Sequence, residues 1–279
     1  MNRIIGLLVS IVFASIYGYA QLCYPVVGTY NGKSAQGIAI WGNNAYLFND
    51  GGHCRIYNIN SEKIIGEFDL ASSGKNTHVN AACFGRDYVN GNQMPVIYIS
   101  EYRKPSRCFV ENITDTASTM VQTIRVQKHG KDVFIQSWIV DNEMCKLYTV
   151  SRMSPLKGEK NTKQVRISKY RLPLLNEGED IILTEKDCQD TFLVEFANAI
   201  QGGKIKGGCL YIVSGLQETS RRKFNAERAI QVIDLKRRKI LKSIDLTHIT
   251  VNEPEDMDFY NDKAILYCGQ NGGLYIINL

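Results

Sequence analysis

Two distant stretches of this chain align without a gap, and that alignment limits the possible folds more than any other feature. Ile56–Leu70 reads I-Y-N-I-N-S-E-K-I-I-G-E-F-D-L, and Val232–Leu246 reads V-I-D-L-K-R-R-K-I-L-K-S-I-D-L. Each is a short apolar strand ending in Asn/Asp-Ile/Leu, a polar turn of four residues, then a second strand ending in Asp-Leu. That is a β-hairpin used twice. The segments before them also match. Gln36–Phe48 and Gln201–Val213 both begin Gln-Gly and carry Tyr ten residues later, and Glu255 and Ile265 fall on the same two positions in the stretch Glu253–Tyr267. The unit is therefore four strands, running from inner to outer.

Short runs rich in Val, Ile, Tyr and Phe alternate with Gly, Asn, Asp and Ser clusters along most of the chain, and helical periodicity is nowhere sustained. The first unit spans about Gln36–Leu70. The second starts near His78 and ends near Val126. The third takes Phe134–Val140, Lys146–Ser151 and Val165–Leu172, with Asp180–Thr184 expected as its outer strand. The fourth runs Ile200–Leu246, and the fifth begins at Glu253 and stops at Leu279 after three strands. A three-stranded last unit leaves an open edge, which is a liability. The orphan strand Cys23–Tyr30 is expected to close it. These features predict an all-β, five-bladed β-propeller of four-stranded antiparallel blades, its last blade closed by the N-terminal strand.

With that pattern in view, the chain resembles secreted bacterial five-bladed propellers. Its E-P-E-D-M-D-F-Y stretch resembles the Glu-Pro-Glu-Gly blade openings of strictosidine-synthase-like and glutaminyl-cyclotransferase-like proteins. The resemblance implies the fold; it carries no activity with it.

In a propeller the inner strands start around one mouth of the central channel. The residues expected there are Gln36, His78, Asn80, Gln136, Gln201, Glu253, Glu255 and Asp256, with Trp138 nearby as a stacking surface. A ring richer in amides than acids suits hydrogen bonding to sugar hydroxyls. The expected function is a non-catalytic binding module for a glycan or a secreted protein partner. The alternatives are a hydrolase, cyclotransferase or lyase using the last blade's carboxylates, and a scaffold working through loops such as 217–227 and 157–163. No G-x-S-x-G, H-E-x-x-H, P-loop or G-x-G-x-x-G motif is present. No cofactor is expected. Calcium is the alternative, because Glu253, Glu255, Asp256 and Asp258 are hard oxygen donors.

Residues 1–20 read as a secretory signal peptide: Arg3, the apolar run Ile4–Ala14, then Gly18-Tyr19-Ala20 before the expected cleavage. Residues 21–279 then form one domain, exported to the periplasm or the outside, monomeric and without a membrane span. The formal charge of +5 falls by one when Arg3 leaves. That mild excess gives no case for nucleic acid, and the basic clusters Arg221–Lys223 and Lys236–Lys239 read as solvated turns. The 8 cysteines contain no C-x-x-C pair, which disfavours zinc. Export would permit disulfides, although Cys83 and Cys209 sit in apolar strand patterns and are expected as buried thiols.

Overall fold

The computed structural model describes residues 21–24, 34–155, 157, 162–217, 227–269 and 273–279. The expected signal peptide lies outside them, as do the loop residues 158–161 and 218–226. The chain enters with β1 (Gln21–Tyr24). Blade one is β2 (Ala35–Trp41), β3 (Asn44–Asn49), β4 (His53–Asn58) and β5 (Lys63–Asp69). Blade two is β6 (Val79–Phe84), β7 (Ile97–Glu101), β8 (Arg107–Ile113) and β9 (Ser118–Lys128), extended by the short β10 (Lys131–Asp132). Blade three is β11 (Ser137–Asp141), β12 (Lys146–Arg152) and β13 (Gln164–Arg171), then β14 (Asp180–Leu183) and β15 (Cys188–Glu195). Blade four is β16 (Ile200–Lys206), β17 (Cys209–Ser214), β18 (Ala229–Asp234) and β19 (Lys239–Asp245). Blade five is β20 (Pro254–Tyr260), β21 (Lys263–Cys268) and β22 (Leu274–Ile277). Five antiparallel sheets result, as the repeat predicts.

The aligned hairpins match in atomic detail. Asn58 Oδ1 accepts the Ser61 N–H at 2.9 Å, and Asp234 Oδ1 accepts the Arg237 N–H at 2.7 Å. Glu62 and Arg238, one residue further on, both take left-handed φ, 55° and 56°. The Asn/Asp in the repeat is thus the side chain that closes the turn. Tight two-residue turns recur at Gly207-Gly208 and Asn261-Asp262, where both residues have positive φ, as a type I′ hairpin turn requires.

Ring closure is visible in the packing. Alternate residues of each strand face opposite neighbours, so Leu47 packs toward blade five while Tyr46 and Phe48 pack toward blade two. Five apolar clusters fill the five interfaces between blades, including the one where Ile38, Leu47 and Tyr57 meet Ile265, Tyr267 and Leu274 of blade five. Burial on both faces explains why the central strands read as apolar runs rather than as alternating patterns.

The N-terminal strand does close blade five, antiparallel to β22, with Gln21 opposite Ile276 and Tyr24 opposite Leu274. It begins two residues earlier than Cys23, and residues 25–30 of the expected strand lie outside the described residues. The outer strand of blade three is a correction. Asp180–Leu183 does not serve there; it crosses to blade two and pairs parallel with β9. Leu183 then enters the core between blades two and three, and Gln122 holds the crossing segment through the Leu174 and Gly178 carbonyls at 3.0 and 2.8 Å. The true outer strand is β15, paired with β13. Its exposure alternates strictly, and outward Gln189, Thr191 and Glu195 break up any apolar run.

Seven described cysteines are free thiols, and Cys83 is buried as expected, its thiol pushed up to about 11 by that burial. Cys209 is only half-buried, at the margin of the blade four–five core. Among the described residues no helix is long and apolar enough to cross a membrane.

Candidate functional site

The inner strand of a blade pairs on one side only, so its other edge faces the channel. Four of these strands carry a β-bulge at their mouth end: between Ala35 and Ile38, Val79 and Ala81, Ile200 and Gly203, and Pro254 and Asp256. The bulged residues are Gln36, Asn80, Gln201 and Glu255. A bulge re-aims side chains and ends regular pairing, and here it gathers these residues at one place. The inner strand of blade three pairs without a bulge, and that blade contributes Gln136 from just before the strand.

They line a cavity of about 300 Å³ at the channel mouth, together with His78, Glu253, Ser34, Tyr102 and Leu216. All five blades contribute. Gln201 Nε2 donates to Glu253 Oε1 at 2.7 Å and to the Gly215 carbonyl at 3.1 Å. Asn80 Nδ2 donates to the Gln136 carbonyl at 2.9 Å, and Gln136 Oε1 accepts the Arg152 N–H at 2.6 Å. Gln36 is 5% exposed, and its Oε1 is buried with no hydrogen-bond partner. Glu255 is 2% exposed. Burial, then the nearby Glu253, Asp256 and Asp50 carboxylates, hold its carboxyl well above the usual range.

Two expected site residues lie elsewhere. Trp138 is buried in the core between blades two and three, its Nε1 3.4 Å from Ser106 Oγ, so it offers no stacking face to the mouth. Asp256 is fully buried on the channel floor. Its Oδ2 accepts the N–H groups of Ile38 and Ala82, both at 3.0 Å, and its Oδ1 accepts that of Met257 at 2.8 Å. Asp258 repeats the arrangement one step deeper, taking the Ile40 N–H at 2.9 Å and the Lys204 ammonium at 2.8 Å. Burial lowers the Lys204 pKa, but Asp258, with smaller contributions from Cys83 and Asp256, more than offsets that and raises it.

The acidic run of the last blade is thereby explained. The channel-facing edges of blades one and two present N–H groups that need acceptors, and Asp256 and Asp258 supply them. These two acids are committed to the backbone. Among the described residues, no group of three His, Cys, Asp or Glu side chains is placed to hold a metal ion.

Tyr102 escaped the sequence reading because it follows a second strand rather than opening an inner one. It stands in the middle of an aromatic row: His78 to Tyr102 at 5.4 Å and Tyr102 to Phe134 at 5.3 Å between ring centroids. The available signal was the compact basic-aromatic run Y-R-K-P-S-R at Tyr102–Arg107.

No family model matches the sequence, and no curated protein matches it. Among solved structures the chain is similar to Kuenenia stuttgartiensis hydrazine synthase, at 9% identity and a TM-score of 0.45. That likeness covers 84% of this chain and 61% of the other. It carries no weight for function, and the assignment as a five-bladed β-propeller rests on the five sheets and their closed ring of interfaces.

Proposed function

We propose that this protein is an exported, non-catalytic binding module that holds a glycan in the cavity at the channel mouth. The observation that carries this reading is the cavity of about 300 Å³ lined by amide and carboxyl residues from all five blades, Gln36 among them, whose Oε1 is buried without a hydrogen-bond partner among the described residues. Buried polar atoms are normally satisfied, so an orphaned acceptor beside a cavity suits a ligand that brings a donor. A sugar hydroxyl is such a donor. The volume lies at the small end of ligand pockets, which favours a ring-sized group over a bulky protein segment.

Gln36→Met keeps the shape and removes the acceptor. Its Oε1 has no partner among the described residues, so stability should hold, while glycan affinity should fall about 10-fold for one lost hydrogen bond. Glycan-array binding followed by calorimetry on the strongest hit measures this. A protein that binds nothing on the array, or a variant that binds as tightly as wild type, removes the reading.

A second reading uses the same mouth for acid–base chemistry. It is favoured by one observation: Glu255 is buried, its carboxyl pushed well above the usual range, beside Glu253, which accepts a hydrogen bond from Gln201. Carboxyl pairs in unlike environments divide the roles of acid and base. Incubating a bound glycan with the protein should then release products, and Glu255→Gln should abolish the release. Intact glycan after prolonged incubation with wild type excludes this alternative.

A further inference from the structure

Beside the mouth, on the far side of Tyr102, lies a second cavity of about 400 Å³ between the loop before β6 and the loop before β8. Lys75, Arg103, Lys104 and Arg107 line it. Elsewhere on the surface Arg55, Arg125, Lys128, Arg171, Lys206 and Arg238 each stand within 3.3 Å of a carboxylate. Among the described residues none of the four groove cations is in such an ion pair. The acid in the groove is Glu101, which is buried and turned inward, with Oε1 accepting the Arg103 and His78 N–H groups at 2.8 and 3.1 Å. Glu101 also feels the Arg103 and Arg107 charges, so the groove sets four cations against one buried carboxyl and keeps a net positive charge.

The groove and the mouth are joined. Glu101 and Arg103 line the one and Tyr102 lines the other. The aromatic row His78–Tyr102–Phe134 runs outward from the mouth, and Lys104 Nζ lies 5.4 Å from the Phe134 ring centroid. Aromatic rings and cations side by side match a ligand with apolar ring faces and repeated negative charge.

We infer that the ligand is an acidic polysaccharide, with one ring in the mouth and its neighbouring uronate carboxylates on Lys75, Arg103, Lys104 and Arg107. The inference rests on the glycan reading of the mouth and adds the charge class of the ligand and the direction in which it runs. A small free anion would use the cations but not the aromatic row. A neutral glycan would use the row but not the cations.

The test compares a uronic-acid oligosaccharide with its carboxyl-reduced, neutral counterpart by calorimetry at several salt concentrations. The acidic form should bind about 10-fold more tightly at low salt, the sum of a few exposed charge contacts, and the advantage should fade as salt screens it. Replacing Lys75, Arg103 and Lys104 together by Gln should erase the advantage and leave binding of the reduced form unchanged. The exposed loop positions make that variant foldable, and unchanged binding of the reduced form confirms it. Equal binding of both oligosaccharides by wild type overturns this inference while leaving the mouth reading intact. Binding of neither overturns both. Single-stranded DNA bound as tightly as the uronate, and lost with the same triple variant, would reduce the groove to a general polyanion surface and also overturn it.

Discussion

Asp256→Ala should lower the unfolding free energy by roughly 3–5 kcal/mol, because it leaves three buried N–H donors without an acceptor at about 1–3 kcal/mol each. The donors belong to Ile38, Ala82 and Met257, so the carboxylate ties blade five to the inner edges of blades one and two. Asp256→Asn keeps one acceptor oxygen and should cost less than half as much. The companion change is Gly202→Ala. A Cβ at Gly202 would lie 2.2 Å from Asp256 Oδ1 and 2.4 Å from its Cγ, so it forces the carboxyl off its three amides. Overpacking of this kind typically costs about 1–3 kcal/mol. The two changes act on one contact, so their costs should not add. Gly202→Ala should be milder in an Asp256→Ala background, although the Cβ of residue 256 still stands 2.8 Å away. Urea unfolding of the four proteins reads this directly. An Asp256→Ala protein that unfolds at the wild-type urea concentration would show that these amides find other partners, and strict additivity would show that Gly202 serves some other purpose.

The same residues show how much of the molecule the sequence disclosed. The repeat was legible because it is made of local chemistry: the Asx oxygen of Asn58 or Asp234, the left-handed residue at Glu62 or Arg238, and a strand on either side. The mouth residues were legible because Gln36 and Gln201 hold the same bulge in two blades, so matching letters meant matching places. What failed was non-local. Asp180–Leu183 has the pattern of a strand, but nothing in it says which blade it joins; the choice is made by Leu183 and by the exposed edge of β9. Trp138 follows a bulge-free entry to its strand, and its burial depends on the space left by Cys83, Tyr98 and Cys108 of the preceding blade. Asp256 read as a ligand because acids at a blade start resemble a site. The need it meets, unpaired backbone N–H groups on two other blades, is a property of the closed ring and of no single segment. The basic groove is built from loops on either side of β6 and β7, which only the fold brings together.

Glu255→Gln should make the protein more stable, by an amount that grows with pH. The Glu255 carboxyl is held well above its ordinary value near 4.5, first by burial and then by the charges of Glu253, Asp256 and Asp50. In the unfolded chain it loses its proton in the ordinary range. Between the two pKa values the folded state binds one more proton than the unfolded state, so stability falls as pH rises, by up to about 1.4 kcal/mol per unit for one group. Glutamine is uncharged at every pH and escapes that loss. Wild type and variant should therefore unfold alike near pH 4.5 and diverge above it until the pH reaches the raised folded-state pKa, the variant unfolding at higher urea concentration from there on. Asp256, raised in the same direction by its burial, leaves a residual slope in both proteins, so the difference between the curves isolates Glu255. Parallel curves would mean that Glu255 ionises freely in the folded protein. The consequence for binding has the same origin. A neutral carboxyl can donate as well as accept a hydrogen bond, so a ligand hydroxyl meets a complementary partner only while Glu255 keeps its proton. Glycan affinity should hold across that pH window in wild type, decline only as the pH climbs through the raised folded-state pKa where the stability slope ends, and stay level in Glu255→Gln. A variant with the stability behaviour but without the level affinity would place Glu255 beside the ligand's path and not against the ligand.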